Sequence, residues 1–391
     1  MDLEYSDRAL ELSRKVEAFV EEEVIPLERF DNPLPADVLR SVRDAAKRAG
    51  LWAPQLPVEL GGQGLELPDI CPVFEAAGRS LLGPLCLGCA APDEGNAHLL
   101  HLAADERQRE RYLKPLASGE IRSAFAMTEP APGAGSDPSL MRTRAVRDGD
   151  HWVIEGHKWF TTGAAGAAFI IVAAVTEEGG SSGSRNKITL FILDDGTPGL
   201  IVKREIPVMG AGTPGGHCEV ELRGCRVAST KVLGKVNDGY ALIQARLGPA
   251  RLTHCMRWIG AAARALEIAA RRAKERISFG KPLAEHQAVE WMLADSRIDL
   301  HASRTMVKDA AWAISRGRGA RIETSMCKVF VAEAVHRVID RAIQICGALG
   351  ITEELPLGRF FQESRAFRIY DGPSEVHRVV VAKHVLKEAK T

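Results

Sequence analysis

The stretch "RIYDGPSEVHR", residues 368–378, sets one carboxylate, Asp371, between an apolar pair and a Gly-Pro break. A carboxylate on a loop can take a proton from a substrate if it reaches the reacting atom. The same spacing suits an Asx-turn or a helix cap, because helical spacing begins after Pro373. Read from its neighbours alone, Asp371 is a turn residue first and a base second. A second candidate is "FAMTEPAPGAGSDPS", residues 125–139, where an apolar strand end enters a loop of small residues. Small side chains let backbone N–H groups approach a planar or phosphorylated ligand. An ordinary Pro-Gly connection fits that stretch equally well. In "HKWFTTG", residues 157–163, adjacent aromatics stand beside two hydroxyls at a strand end. Such aromatics are more often core than a ligand wall.

Other patterns carry less. "GAGTPG", residues 210–215, matches Gly-x-Gly-x-x-Gly, but Pro214 interrupts it and a strand pattern follows, so a dinucleotide fingerprint is rejected. Cys86 and Cys89 form one Cys-x-x-Cys without a second pair, and the eight cysteines lie in apolar segments as expected for reduced, packed thiols. No Walker loop, His-Glu-x-x-His or Gly-x-Ser-x-Gly is present, and His98 and His101 are too isolated to argue for a metal.

The elements that must position these residues fall into three blocks. Residues 1–122 read as a helical domain, with "SDRALELSRKVEAFVEEEV", "PADVLRSVRDAAKRAGL" and residues 68–82 at helical spacing. Residues 123–237 alternate at period two in short runs, with Asp148-Gly149-Asp150 as a hairpin signal. An antiparallel sheet or barrel is expected there. Residues 238–391 return to helical spacing at about 240–276, 283–316, 321–346 and 374–389, a four-helix bundle. The fold class is therefore α+β and multidomain. The 51 basic residues balance 51 acidic ones, which gives no reason to expect a nucleic acid or anionic membrane partner. The N-terminus is acidic and amphipathic, no apolar run approaches a membrane span, and "EAKT" is no peroxisomal address, so a cytoplasmic protein is expected.

Five stretches occur together in order: "MTEP…GAGSD", "KWFTTG", "RISFGKPLAEHQ" (276–287), "QICGALG" (344–350) and "RIYDGPSEVHR". In order and spacing the chain resembles the acyl-CoA dehydrogenases over essentially its whole length. "ARLGPARLTHCMR", residues 245–257, is most similar to the long-chain branch carried on kinase-like fusion proteins.

The resemblance implies FAD as cofactor, an acyl-CoA substrate, an electron-transfer flavoprotein as acceptor, and a homodimer or homotetramer. It implies that Phe125, Met127 and Thr128 line the flavin, that Ser136 faces flavin or acyl-CoA, and that Trp159, Thr161 and Thr162 close the other side. Arg276, Phe279, Gln287, Gln344 and Gly347 would hold the pyrophosphate and adenosine half, partly across a subunit interface. Asp371 matches the family's base, usually a glutamate, with Arg251, Tyr370 and Gly372 beside the substrate. Some relatives carry the base near 249–250, where Pro249 and Ala250 cannot serve. Pro373 and Glu375 occupy cofactor positions where threonine and glutamine are usual, extra residues precede Gly-Ala-Gly-Ser-Asp, and Ala348 replaces a common glycine. A desolvated Asp371 is expected to have a raised pKa. Other readings on the same fold are a flavin oxidase acting on nitroalkanes or acyl-CoA, and a flavin-binding scaffold without turnover.

Overall fold

The computed structural model describes residues 4–29, 34–179, 186–210 and 212–389. Ala211, inside the glycine-rich "GAGTPG", and the terminal Lys390 and Thr391 lie outside them. In the first block α1 (Asp7–Phe19) starts where the Ser6 hydroxyl accepts from the Ala9 N–H. It is followed by α2 (Ala36–Arg48), α3 (Leu67–Ala77), the one-turn α4 (Gly83–Cys86), α5 (Asp93–Ala103), and the short α6 (Glu106–Gln108) and α7 (Lys114–Ala117).

The middle block holds β1 (Ser123–Ala126), β2 (Arg144–Asp148), β3 (His151–Thr162), β4 (Phe169–Glu177), β5 (Lys187–Asp194), β6 (Leu200–Glu205), β7 (His217–Ala228) and β8 (Val232–Leu233). The β2–β3 hairpin turns through Gly149 at φ +58°, pairing Asp148 with His151. The strand order is β6-β7-β3-β2-β4-β5-β8, with β1 added beside β4. Trp152 on β3 meets Phe191 on β5 edge to face at 5.5 Å, although β2 and β4 separate those strands. The sheet therefore curls around an apolar interior that includes Ile154, Ile170, Val172 and Val220.

Two features correct the sequence expectation. The sheet is mixed, because β1 runs parallel to β4 from Ser123↔Phe169 to Ala126↔Val172. A period-two pattern reports burial of alternate side chains and carries no strand direction. The last block also has one helix more than expected. It comprises α8 (Gly239–Glu275), the β9–β10 hairpin (Ile277–Ser278, Lys281–Pro282), α9 (Gln287–Ser315), α10 (Arg321–Cys346), α11 (Leu357–Phe367) and α12 (Ser374–Glu388). The unexpected α11 buries Leu357, Phe360, Ser364 and Phe367.

The core explains how distant blocks meet. Val16, Val20 and Phe74 from the first block pack with Leu252, Ile259, Val331, Val335 and Phe367 from the last. A second cluster joins α5 and Trp52 to Ile171, Leu190 and Ile192 of the sheet and to Ile243 and Leu247 of α8. The N-terminal half of α8 is thus wedged between sheet and bundle, which is where the candidate residues gather. Among the described residues no helix is long and apolar enough to cross a membrane.

Candidate active site

Asp371 lies in the turn between α11 and α12 at φ +54°, a left-handed conformation that aspartate tolerates better than most residues. Three elements hold its backbone. Arg251 of α8 donates Nε–H to the Asp371 carbonyl at 2.8 Å, and the His377 ring of α12 lies 3.2 Å from the same oxygen. Lys328 of α10 donates to the Phe367 carbonyl at 2.5 Å and to that of Gly372 at 3.5 Å. Gly372, at φ +102°, is required, since a Cβ there would meet His377 Nε2 at 2.6 Å. Tyr370 accepts from the Trp258 indole at 2.7 Å and packs 4.8 Å from the His254 ring. It braces the loop from inside.

The carboxylate itself faces cations. His254 Nε2 lies 3.5 Å from Asp371 Oδ2, and both side chains are largely enclosed. Burial penalises ionisation, but His254, Arg246, Arg251 and Lys328 outweigh it and hold Asp371 below the usual aspartate value. This corrects the expected raised pKa: positive charges gathered from α8 and α10, which local sequence does not reveal, win over desolvation. Burial and the neighbouring Arg257 push His254 down to about 3, so the ring is neutral at pH 7 and meets Asp371 as a dipole. Burial lowers Lys328 to about 8.

The sheet supplies an opposite wall. Phe125, Met127 and Thr128 continue from β1, and the Trp159 N–H donates to the Thr128 carbonyl at 2.8 Å. The β3–β7 register shifts between Lys158 and Thr161, with Phe160 at φ +52°. Such a bulge re-aims side chains. Trp159 Nε1 and Thr161 Oγ1 are buried without a hydrogen-bond partner, while Thr162 Oγ1 meets His217 Nδ1 at 2.9 Å. Beneath them the buried Lys158 ammonium donates to the Met127 carbonyl and to Glu129, each at 3.0 Å. Arg246 connects the two walls: its guanidinium lies 4.3 Å over the Phe125 ring, and its charge acts on Asp371.

The chain matches "Acyl-CoA dehydrogenase, N-terminal domain" over residues 6–120, the middle domain over 124–225 and the C-terminal domain over 237–386. A Mycobacterium tuberculosis protein named as a probable acyl-CoA dehydrogenase, FadE2, is 39% identical over 406 aligned positions, covering 100% of this chain and 98% of that protein. The chain belongs to the acyl-CoA dehydrogenase family. Acyl-CoA dehydrogenase family member 11 of Gallus gallus is 37% identical over 97% of this chain, which spans about half (50%) of that protein's length. Among solved structures, the butyryl-CoA dehydrogenase of Megasphaera elsdenii superposes with a TM-score of 0.86 at 26% identity, covering 99% of this chain and 100% of that one. A Mycobacterium abscessus chain described as an acyl-CoA dehydrogenase reaches 0.92 at 37% identity, covering 99% and 100%.

The protein is a flavoprotein oxidoreductase of fatty acid metabolism with the acyl-CoA dehydrogenase fold, and its cofactor is FAD. Its residues fit that group, because the partnerless Trp159 Nε1 and Thr161 Oγ1 are polar atoms in search of a ligand on the expected wall. Ser136 is exposed on its loop. Arg276, Phe279, Gln287, Gln344 and Gly347 are also exposed in the single chain, with Phe279 95% accessible at φ +50°. Among the described residues, no hydrogen bond or ring contact joins these five to Trp159 or Asp371. Pro373 opens α12, where Ser374 Oγ donates to Glu333 at 2.9 Å, and Glu375 is exposed in its first turn.

His157, Glu219 and Glu221 do gather, with candidate ligand atoms within 4.8 Å of one another. Lys203 and Arg204 pair with those carboxylates at 2.6–3.2 Å, so the group is a salt-bridge network. Sequence reasoning missed Arg246, His254, Trp258, Lys328 and His377. The signal was available for two of them, because 251, 254 and 258 share one face of α8 at i, i+3, i+7 spacing. Lys328 was visible only as a charge on the apolar side of "SMCKVFVAEAV".

Proposed function

We propose that this protein dehydrogenates a fatty acyl-CoA thioester to the trans-2-enoyl-CoA, with Asp371 as the base that removes the α-proton. The observation that carries the reading is the ionised Asp371, presented by a turn that Arg251, His377 and Lys328 hold through its carbonyls. FAD, when bound, accepts the β-hydrogen as hydride. The α-proton passes to Asp371 as the Cα–Cβ double bond forms. Since its pKa is lowered, Asp371 works through placement rather than through elevated basicity. Aspartate is one methylene shorter than glutamate, so a fixed backbone position matters more.

The finer assignments belong to the same reading. Phe125, Met127, Thr128, Trp159, Thr161 and Thr162 bear on the flavin, and Arg251, Tyr370, Gly372 and Ser136 on the substrate side. Arg276, Phe279, Gln287, Gln344, Gly347, Pro373 and Glu375 serve the rest of the cofactor, the first five partly across an interface of a homodimer or homotetramer. Exposure of those five in one chain supports the interface. An electron-transfer flavoprotein is the acceptor, the protein is cytoplasmic, the blocks divide at 1–122, 123–237 and 238–391, and the substrate is of the longer-chain branch.

The test is anaerobic bleaching of the bound flavin by acyl-CoA thioesters of graded length. Asp371→Asn is expected to keep bound FAD and to lose roughly 10²- to 10⁴-fold in reduction rate. Unchanged bleaching by that variant would sink the assignment. Hydrogen peroxide formed under air without any CoA thioester would point instead to an oxidase, and bound FAD that no acyl-CoA reduces to a scaffold.

A further inference from the structure

Asp371 is held by its backbone, yet its carboxylate also needs a fixed rotation if one oxygen is to face the substrate. Among the described residues, His254 Nε2 of α8 is the side-chain atom that approaches that carboxylate, 3.5 Å from Oδ2. The other ring nitrogen is committed: Arg257 Nη2 lies 3.2 Å from His254 Nδ1. A guanidinium has donors only, so Nδ1 must be the acceptor and the ring proton must sit on Nε2, the nitrogen nearer the carboxylate. Arg257 is itself fixed. It donates to the Cys89 carbonyl at 2.6 Å, approaches Glu94 Oε2 at 3.5 Å and lies 5.6 Å over the Phe74 ring. Glu94 also accepts from Thr253 Oγ1 at 3.1 Å. The result is a buried line from Glu94 through Arg257 and His254 to Asp371, running from α5 across α8 to the α11–α12 turn. The Tyr370 ring at 4.8 Å and Phe367 at 6.2 Å confine the imidazole from the sides.

We propose that His254 is the positioning residue for Asp371: a neutral imidazole, locked by Arg257 in its Nε2–H tautomer, that holds Oδ2 and leaves Oδ1 for the substrate proton. The inference rests on the reading of Asp371 as the base. Neutrality matters chemically. An imidazolium at this distance would weaken the base further, whereas an N–H dipole orients it at smaller cost in basicity. The Arg257 charge on the far side of the ring disfavours that imidazolium and so preserves the arrangement. The other charged or titratable groups facing Asp371 are Arg246 and Arg251 from α8, Lys328 from α10, His377 from α12 and Tyr370 from its own turn.

The test compares FAD-loaded wild type with His254→Ala, His254→Gln and Asp371→Asn, using anaerobic flavin reduction by butyryl-, octanoyl- and palmitoyl-CoA. His254→Ala is expected to slow the limiting reduction rate roughly 10- to 100-fold with little change in the half-saturating acyl-CoA concentration. Its acid limb moves to higher pH, because the carboxylate has lost a neighbouring ring that favours its charged form. His254→Gln, whose amide N–H can reach the same oxygen, is expected to recover most of the rate and the original limb. A readout independent of turnover is ¹⁵N NMR of histidine-labelled protein, with the His254 signal taken by difference from His254→Gln. It should show a neutral ring protonated on Nε2 at pH 7. An imidazolium or an Nδ1–H tautomer at pH 7 overturns the proposal, as does wild-type reduction by His254→Ala. If Asp371→Asn is inactive while His254→Ala is normal, only this inference fails; if Asp371→Asn is active, the base assignment fails. Should His254→Ala lose its FAD, the glutamine variant and the NMR signal decide.

Discussion

Asp371 and the Glu129–Lys158 pair show how single residues set this site. A left-handed φ costs most non-glycine residues about 1–2 kcal/mol, and a short polar side chain lessens that cost. An aspartate therefore suits the conformation in which position 371 is presented. Behind the opposite wall, Glu129 accepts from the backbone of Ala134, Arg142 and Thr143, from the Thr143 hydroxyl and from Lys158. Burial opposes its charge, but Lys158 and these donors prevail and lower Glu129 from 4.5 to about 2. A depressed carboxylate stabilises the fold above its unfolded pKa, and that contribution is lost as pH falls through the folded value. Glu129→Gln, which strands the buried Lys158, is expected to cost about 3–5 kcal/mol at pH 7. The gap from wild type should narrow as pH drops from about 4.5 toward 2. Denaturant unfolding across that range checks both the size and the direction.

The α11–α12 turn is the element that presents Asp371. Lys328 satisfies carbonyls at the end of α11, and Gly372 lets the chain pass against His377 before Pro373 starts α12. Gly372→Ala would place a Cβ 2.6 Å from His377 Nε2 in a conformation L side chains avoid. The expected cost is about 1–3 kcal/mol, with flavin reduction lost more steeply than FAD binding because Asp371 shifts with the turn. Thermal unfolding and anaerobic bleaching, measured on the same preparation, separate the two effects. The helix of this pair that the sequence reading overlooked, α11, follows a loop rich in glycine and proline. Its burial of Leu357, Phe360 and Phe367 depends on partners in α8 and α10. By contrast α12 was evident from the Gly-Pro break before it.

For the molecule as a whole, the feature that stands out is a hairpin left largely in solvent. The β9–β10 hairpin carries Phe279 almost wholly in solvent at a positive φ, beside the exposed Arg276. An exposed, strained aromatic of this kind is characteristic of a surface that meets a partner or ligand. The combined Arg276→Ala and Phe279→Ala protein is expected to retain FAD roughly 10-fold less well, at about 1.4 kcal/mol per tenfold. Its mass in solution should shift toward the 42.4 kDa protomer. Flavin content after gel filtration and light-scattering mass test this, and unchanged values in both would remove the hairpin from the interface.

Periodicity by itself determined the helical, β, helical order and most element positions, because the spacing of apolar residues reports which face each element buries. Motif order determined the family resemblance, and with it Asp371, Trp159 and the hairpin residues as candidates. What only tertiary structure decided is the electrostatic setting of Asp371. Arg246 and Arg251 come from α8 and Lys328 from α10, as far as 125 positions from Asp371 (246 to 371) and brought to it only by packing. Local sequence predicted a raised pKa from burial alone. The fold supplied cations that reverse it, because charge interactions depend on distance in space, which neighbours along the chain do not report.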